Sequence, residues 1–394
     1  MDNGKRIAED VEVFLRAARG KDVRKCSEML KQKPSLIDSI EAGGFSALHF
    51  AAFNGDLDML YMLLEHKPTL DLRNYDGNTP MIMAAKVRQH AAIRLLIEAG
   101  ADVNCTTPTG GTAAHFAASM GHVDTVRYLV DLGANVMHQD CETGSLLHWA
   151  AHSGDVNCIG AIIYEFKIPI DIRDSNGGTP LFTALFMKKV EAVEFLLEHG
   201  ADPQAVVEGD HSTPLHIAVE HSNTECVRLL LGFGADPNAV NTSGETPVAL
   251  AEKAKNQAML KELLKPMLSD EKRKEEALRF KTQGNKVFED GENVKAAKFY
   301  GLAIRMDSKN HIFFSNRAAA YFNQHHYSGA YWDAVRCVTL APQWPKGYFR
   351  KAATELAMKK YEESLKTCEE GLRLDPNNKD LLTTRDEVRS KKVS

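Results

Sequence analysis

The chain has 394 residues, 44% of them hydrophobic and 26% charged, with a formal net charge of −5. That length exceeds one ordinary domain, and the composition is that of a soluble globular chain, which excludes a fibrous or wholly disordered one. The charge is divided: residues 1–276 hold 27 basic against 39 acidic side chains (−12), and residues 277–394 hold 21 against 14 (+7).

The seven cysteines are scattered and form no Cys-x-x-Cys pair, so neither a zinc site nor a disulfide framework is indicated. They read as small buried residues in a reducing compartment. The opening MDNGKRIAEDVEVF carries acids where a signal peptide would have an apolar run. No stretch of about 18 apolar residues occurs, so no membrane span is expected and a cytoplasmic location is.

In chain order, residues 8–38 read as a helix pair (VEVFLRAARG, then VRKCSEMLKQ), an N-terminal capping element or degenerate repeat over 1–41. A period then sets in. Tetrapeptides of one type begin at Ser46 (SALH), Thr79 (TPMI), Thr112 (TAAH), Ser145 (SLLH), Thr179 (TPLF), Thr213 (TPLH) and Thr246 (TPVA), in steps of 33, 33, 33, 34, 34 and 33. Gly-Ala-Asp/Asn turns recur in phase at Gly100, Gly133, Gly200 and Gly234. The Thr or Ser caps a first helix, the Pro suits its first turn, and the Gly permits a left-handed exit from the second. This pattern resembles the ankyrin repeat, seven units over residues 42–268. The resemblance implies helix pairs that bury their apolar faces only against neighbours.

Ser269–Glu276 (SDEKRKEE) lacks Gly and Pro and is dense in charge. It is a natural boundary, either a short helix that would hold the flanking arrays in a fixed relation or a frayed connector. A second period of 34 starts near Ala277. Gly284, Ala318 and Ala352 follow it, as do Ala296, Ala330 and Ser364, then Tyr300, Ala334 and Cys368. Small residues at two of these points let paired helices approach, while Phe280, Phe314 and Tyr348 fill the space between units. This resembles the tetratricopeptide repeat (TPR), three copies over 277–378 with a capping helix from about Lys379, in a TPR domain of 277–394. The expected fold is all-α, two α-solenoids in tandem.

Five residues stand out in the second array. Lys281 and Asn285 share one helix face, Asn316 lies 31 residues later on the next first helix, and Lys346 and Arg350 share a face of the third. Lysine supplies point-charge donors, arginine a planar fork, and asparagine a neutral amide that orients an oxygen. Three cations and two amides suit a carboxylate-rich peptide end. The set, with KTQGNKVFEDG, SNRAAAY and KGYFRKA around it, resembles the two-carboxylate clamp of co-chaperone TPR domains. That resemblance implies a groove for the Glu-Glu-Val-Asp C-terminus of the heat-shock protein 70 and 90 chaperones. Lys351, Phe288 and Phe313 are candidates for flanking peptide contacts, the two rings equally for core.

In the first array, Phe45, Phe53, Tyr75, Lys86, Met120, His152, Phe186, Met187 and His221 fall at variable positions of hairpin tips and first helices. Large apolar residues there suggest a face for an unidentified protein, or else packing on neighbouring loops. His49, His115, His148 and His216 recur at repeat spacing. A structural role bonding adjacent turns explains them, since positions about 10 Å apart cannot share one ion at zinc–nitrogen distances of about 2 Å. No phosphate-cradling loop, nucleophile elbow or kinase signature occurs. No enzyme, cofactor, metal or nucleic-acid partner is therefore expected. The expectation is a monomeric co-chaperone adaptor that joins a chaperone tail to a client. The alternative is a general scaffold that binds another acidic peptide in a signalling or degradation complex.

Overall fold

The computed structural model describes residues 2–141 and 144–393. The described residues form twenty-three α-helices and no strand beyond isolated bridges, so the fold is all-α. The first pair is α1 (Asp2–Arg19) and α2 (Val23–Gln32). Seven short units follow in sequence: α3 (Ala47–Asn54) and α4 (Leu57–Glu65), α5 (Pro80–Lys86) and α6 (His90–Glu98), α7 (Ala113–Ser119) and α8 (Val123–Asp131), α9 (Leu146–Ser153) and α10 (Val156–Tyr164), α11 (Pro180–Phe186) and α12 (Val190–Glu198), α13 (Pro214–Glu220) and α14 (Thr224–Gly232), α15 (Pro247–Lys253) and α16 (Gln257–Leu263). Longer helices then alternate: α17 (Asp270–Glu289) with α18 (Asn293–Met306), α19 (His311–Asn323) with α20 (Tyr327–Leu340), α21 (Pro345–Ala357) with α22 (Tyr361–Leu374), and α23 (Lys379–Val393). The chain divides into two compact units, Met1–Ala192 and Val193–Ser394. The second unit therefore holds the last short helices together with all the long ones.

Helices of seven to nine residues are unstable alone, so these exist by packing. Ala51, Ala84, Ala117, Ala150, Ala184, Ala218 and Ala251 mark the repeat, and each is at most 1% exposed. The turn between paired helices needs one left-handed residue per unit. Glycine takes it at Gly55, Gly121, Gly154 and Gly291, while Arg88, Lys188, Lys255, His325 and Lys359 adopt it at a steric cost.

The repeating histidines bind the stack. His49 Nε2 lies 3.0 Å from the Asn78 carbonyl, His148 Nε2 3.1 Å from that of Gly178, and His216 Nε2 3.1 Å from that of Glu245. A carbonyl only accepts, so Nε2 carries the proton and Nδ1 is left to accept. Nδ1 of His49 takes the Ser46 N–H at 3.1 Å and its hydroxyl at 2.9 Å. The neutral ring thus closes one helix N-terminus and reaches the next unit at once. His115 makes the local half of this pattern with Thr112, but its buried Nε2 has no partner.

The charged segment after the short helices is helical. Ser269 Oγ accepts from the Lys272 N–H at 3.4 Å, and Asp270 and Glu271 place negative charge in the first turn. Residues 270–276 are thereby the opening turns of α17, continuous with the turns that carry Lys281 and Asn285. In the long-helix repeats, a side chain at Gly284 would meet the Tyr300 ring at 2.6 Å. Ala318, Ala352, Ala296, Ala330 and Ser364 are buried at the other close approaches. Phe280 and Phe314 pack in one cluster and Tyr348 in another.

His148→Ala removes two charge-neutral bonds to the stack and is expected to lower the unfolding free energy by about 2 kcal/mol in urea titration. Burial lowers the proton affinity of His49, His148 and His115, the last to about 4 from 6.5. Their unfolded forms take protons at a higher pH than the folded ones. The stabilisation is therefore fully present above pH 6.5 and is lost as pH falls toward 4, which a pH series of melting curves would show.

Candidate functional site

The first helices of the three long-helix repeats, α17, α19 and α21, carry the five candidate residues. Gly284 makes room for the Tyr300 ring, and the Tyr300 hydroxyl then donates to Asn285 Oδ1 at 2.9 Å. Burial pushes this phenol up to about 12, so it stays a donor. Asn285 Oδ1 also accepts from Asn316 Nδ2 at 3.2 Å, which brings the first and second repeats together through the two amides. With Oδ1 doubly occupied, the free end of Asn285 is its Nδ2, a donor of the kind a carboxylate requires.

Lys281 and Arg350 are half-buried and Lys346 is exposed. Among the described residues none of the three forms an ion pair. Arg350 stacks on the Phe349 ring at 5.3 Å, and its Nε is buried with no hydrogen-bond partner. Burial lowers the affinity of its guanidinium for the proton, with Asp380, Cys337 and Tyr300 opposing. Lys346 Nζ sits 6.0 Å from the Trp344 ring. A partly desolvated cation with an unused donor is costly until an anion arrives.

The flanking candidates separate. Phe313 is 1% exposed and lies in the core with Phe314, Ala303 and Cys337, so it offers no surface to a peptide. The reason is that α19 is packed on by α18, α20 and α21, which leaves few of its faces open. Phe288 is half-buried against Ala296, Ala297 and Tyr300. Lys351 already has partners, Glu355 at 3.4 Å and Thr367 Oγ1 at 3.3 Å.

In the short-helix array, Phe53, Tyr75, Met120, His152 and Phe186 are exposed, Tyr75 at 71%. Met187 and His221 are half-buried. Phe45 stacks on Phe50 at 5.9 Å. Lys86 donates to Asn78 Oδ1 at 2.9 Å and covers the Phe116 ring at 4.2 Å. Phe116 in turn meets Trp149 edge-on at 5.0 Å. Sequence reasoning passed over Phe116 and Trp149, and took Tyr300 only as a mark of the 34-residue period. For Tyr300 the pattern held a sign: it is a large ring where the equivalent positions are Ala334 and Cys368.

Arg350→Met, measured without ligand by thermal denaturation, is expected to leave stability within about 1 kcal/mol or raise it, because it deletes an unpaired half-buried charge. A loss above about 2 kcal/mol would mean that the guanidinium already has a partner.

Comparison with known proteins places this geometry in context. Profiles described as ankyrin repeats (3 copies) match residues 14–107, 48–140 and 132–207, and one described as ankyrin repeats (many copies) matches 196–251. Together they run over more than half of the chain. The crystal structure of the human ASB11 ankyrin repeat domain is 30% identical with a TM-score of 0.50, covering 56% of this chain and 97% of that one. An Hsp70-Hsp90 organising protein of Plasmodium falciparum is 37% identical over 120 residues, 30% of this chain and 48% of that protein. The Hsp70-Hsp90 organizing protein of Triticum aestivum is 39% identical over 132 residues, 34% of this chain and 21% of that protein. The chain thus spans about half or less of the length of these curated relatives. It belongs to the ankyrin-repeat family, and it joins to those repeats a stretch similar to the Hsp70-Hsp90 organising proteins.

Proposed function

We propose that this chain is a cytosolic co-chaperone adaptor. Its TPR groove binds the free acidic C-terminus of heat-shock protein 70 or 90, of sequence Glu-Glu-Val-Asp, and the exposed ring and methionine strip of the ankyrin array holds a client protein. The observation that carries the reading is the set of three cations, Lys281, Lys346 and Arg350, without counter-ions beside the Asn285–Asn316 amide pair. Similarity to organising proteins named for these two chaperones agrees with it. Bivalent tethering is the mechanism: holding both partners raises the local concentration of one near the other and needs no catalytic group. In functional terms the division is an ankyrin array over 42–268 and a clamp domain over 277–394.

Charge-assisted hydrogen bonds in a partly shielded groove contribute about 1.5–3 kcal/mol each, and several of them give roughly micromolar affinity once ordering is subtracted. The test is fluorescence polarisation with a labelled Met-Glu-Glu-Val-Asp peptide. Micromolar binding is expected, reduced about tenfold or more by amidation of the peptide C-terminus and by Lys346→Ala. Binding indifferent to the free carboxylate would favour a general scaffold for acidic peptides, and no binding would move attention to the ankyrin face.

A further inference from the structure

Arg317 directly follows the clamp residue Asn316 on α19, and it is 6% exposed. Within its own repeat it is held by Asp333 of α20, with Nε to Oδ2 at 2.8 Å and Nη2 to Oδ1 at 2.7 Å. The other edge of the same guanidinium is taken by Glu198, 119 residues earlier. Nη1 donates to Oε1 at 2.5 Å and Nη2 to Oε2 at 2.7 Å. Glu198 is the last residue of α12, a helix of the ankyrin array, and it too is buried. Around this triad, His199 stacks on Phe195 at 3.8 Å, Phe195 meets Trp332 edge-on at 6.3 Å, and His199 lies 6.2 Å from the Phe314 ring. Arg305 reaches Glu194 at 2.9 Å, and Arg273 donates to the carbonyls of Gly232 and Arg305 at 2.7 and 3.0 Å. A side chain at Gly232 would meet Arg305 Cδ at 2.6 Å and displace that side chain.

We propose that Glu198 is a positioning residue for the peptide groove: an ankyrin residue completes the buried ion triad that fixes α19, and through it the placement of Asn316. This rests on the clamp reading for its consequence in binding, but the positioning of α19 stands apart from it. A planar guanidinium bonded at two edges has one orientation, and its buried stem ties it to α19, so helix rotation and register are constrained from both sides. Without Glu198, Nη1 loses its acceptor inside the protein and the helix must shift to bring it to water or to Asp333. Asn316 Nδ2 then moves away from Asn285 Oδ1, and the amide pair at the floor of the groove opens.

The test uses the full chain and reads two quantities. Hydrogen exchange without peptide is expected to show protection in α19 falling about tenfold or more in Glu198→Ala while α21, α22 and α23 change little. Affinity for Met-Glu-Glu-Val-Asp, measured far below the melting temperature, is expected to fall about tenfold. Glu194→Ala, which removes the less buried pair with Arg305, is the control and is expected to change both by less than about twofold. Should Glu198→Ala fail to fold, Glu198→Met nearly keeps the volume, offers no acceptor and is read in the same way. Unchanged exchange in α19, or an equal loss of protection throughout α21–α23, overturns the proposal, the latter because it marks a merely global role. If the parent protein does not bind the peptide, the clamp reading fails and exchange in α19 still decides the role of Glu198.

Discussion

No repeat in this chain can cover its own apolar face. The short helices are below the length at which a helix persists alone, and within each compact unit the buried repeat alanines, such as Ala51 to Ala184, lie where one helix pair supplies the wall of the next. Hydrogen bonding obeys the same constraint. His49, His148 and His216 each spend one nitrogen on their own helix cap and the other on a carbonyl of the following unit. The two bonded amides follow suit, with Asn285 on one long-helix repeat and Asn316 on the next. An amide pair made this way belongs to no single repeat, so its geometry is as good as the stacking beneath it.

Arg317 and Arg350 show how surroundings divide one residue type between two tasks. Burial alone would weaken the proton affinity of Arg317, and Asp333 and Glu198 more than offset that, leaving it raised and fully partnered. It is architecture. Arg350 is half-buried, its Nε has no hydrogen-bond partner, and burial lowers its affinity for the proton. The contrast extends to lysines. Lys351 is paired with Glu355, whereas among the described residues Lys281 and Lys346 form no ion pair.

Much of this was legible in the sequence, because nearest-neighbour architectures write their contacts at a fixed spacing. The tetrapeptides from Ser46 to Thr246 located the first helices α3 to α15, and the 34-residue period placed Lys281, Asn285, Asn316, Lys346 and Arg350 on first helices before any coordinate was needed. What stayed hidden breaks the period. Glu198 and Arg317 are 119 residues apart and each reads as an ordinary helix-surface charge; only the tertiary packing buries them face to face. Phe313 and Phe314 are adjacent, and a helix exposed on one side would have turned one of them outward. Instead α19 is enclosed by its neighbours and both rings are buried. The helical state of residues 270–276 was signalled by Ser269 and the acids behind it, yet dense charge read equally well as a frayed connector.

That α17 runs unbroken from Asp270 to Glu289 limits how such a chain can vary in length. Arg273 is fixed to the carbonyls of Gly232 and Arg305, while Asn285, on the same helix a few turns later, is held by Tyr300 and Asn316. A helix turns about 100° per residue. Inserting or deleting one residue between Arg273 and Lys281 would swing one of these two sets off its target, whereas a flexible connector would absorb it. Tolerated changes in this segment are those that restore the phase, close to whole heptads. The junction is thus a ruler for angle more than for distance.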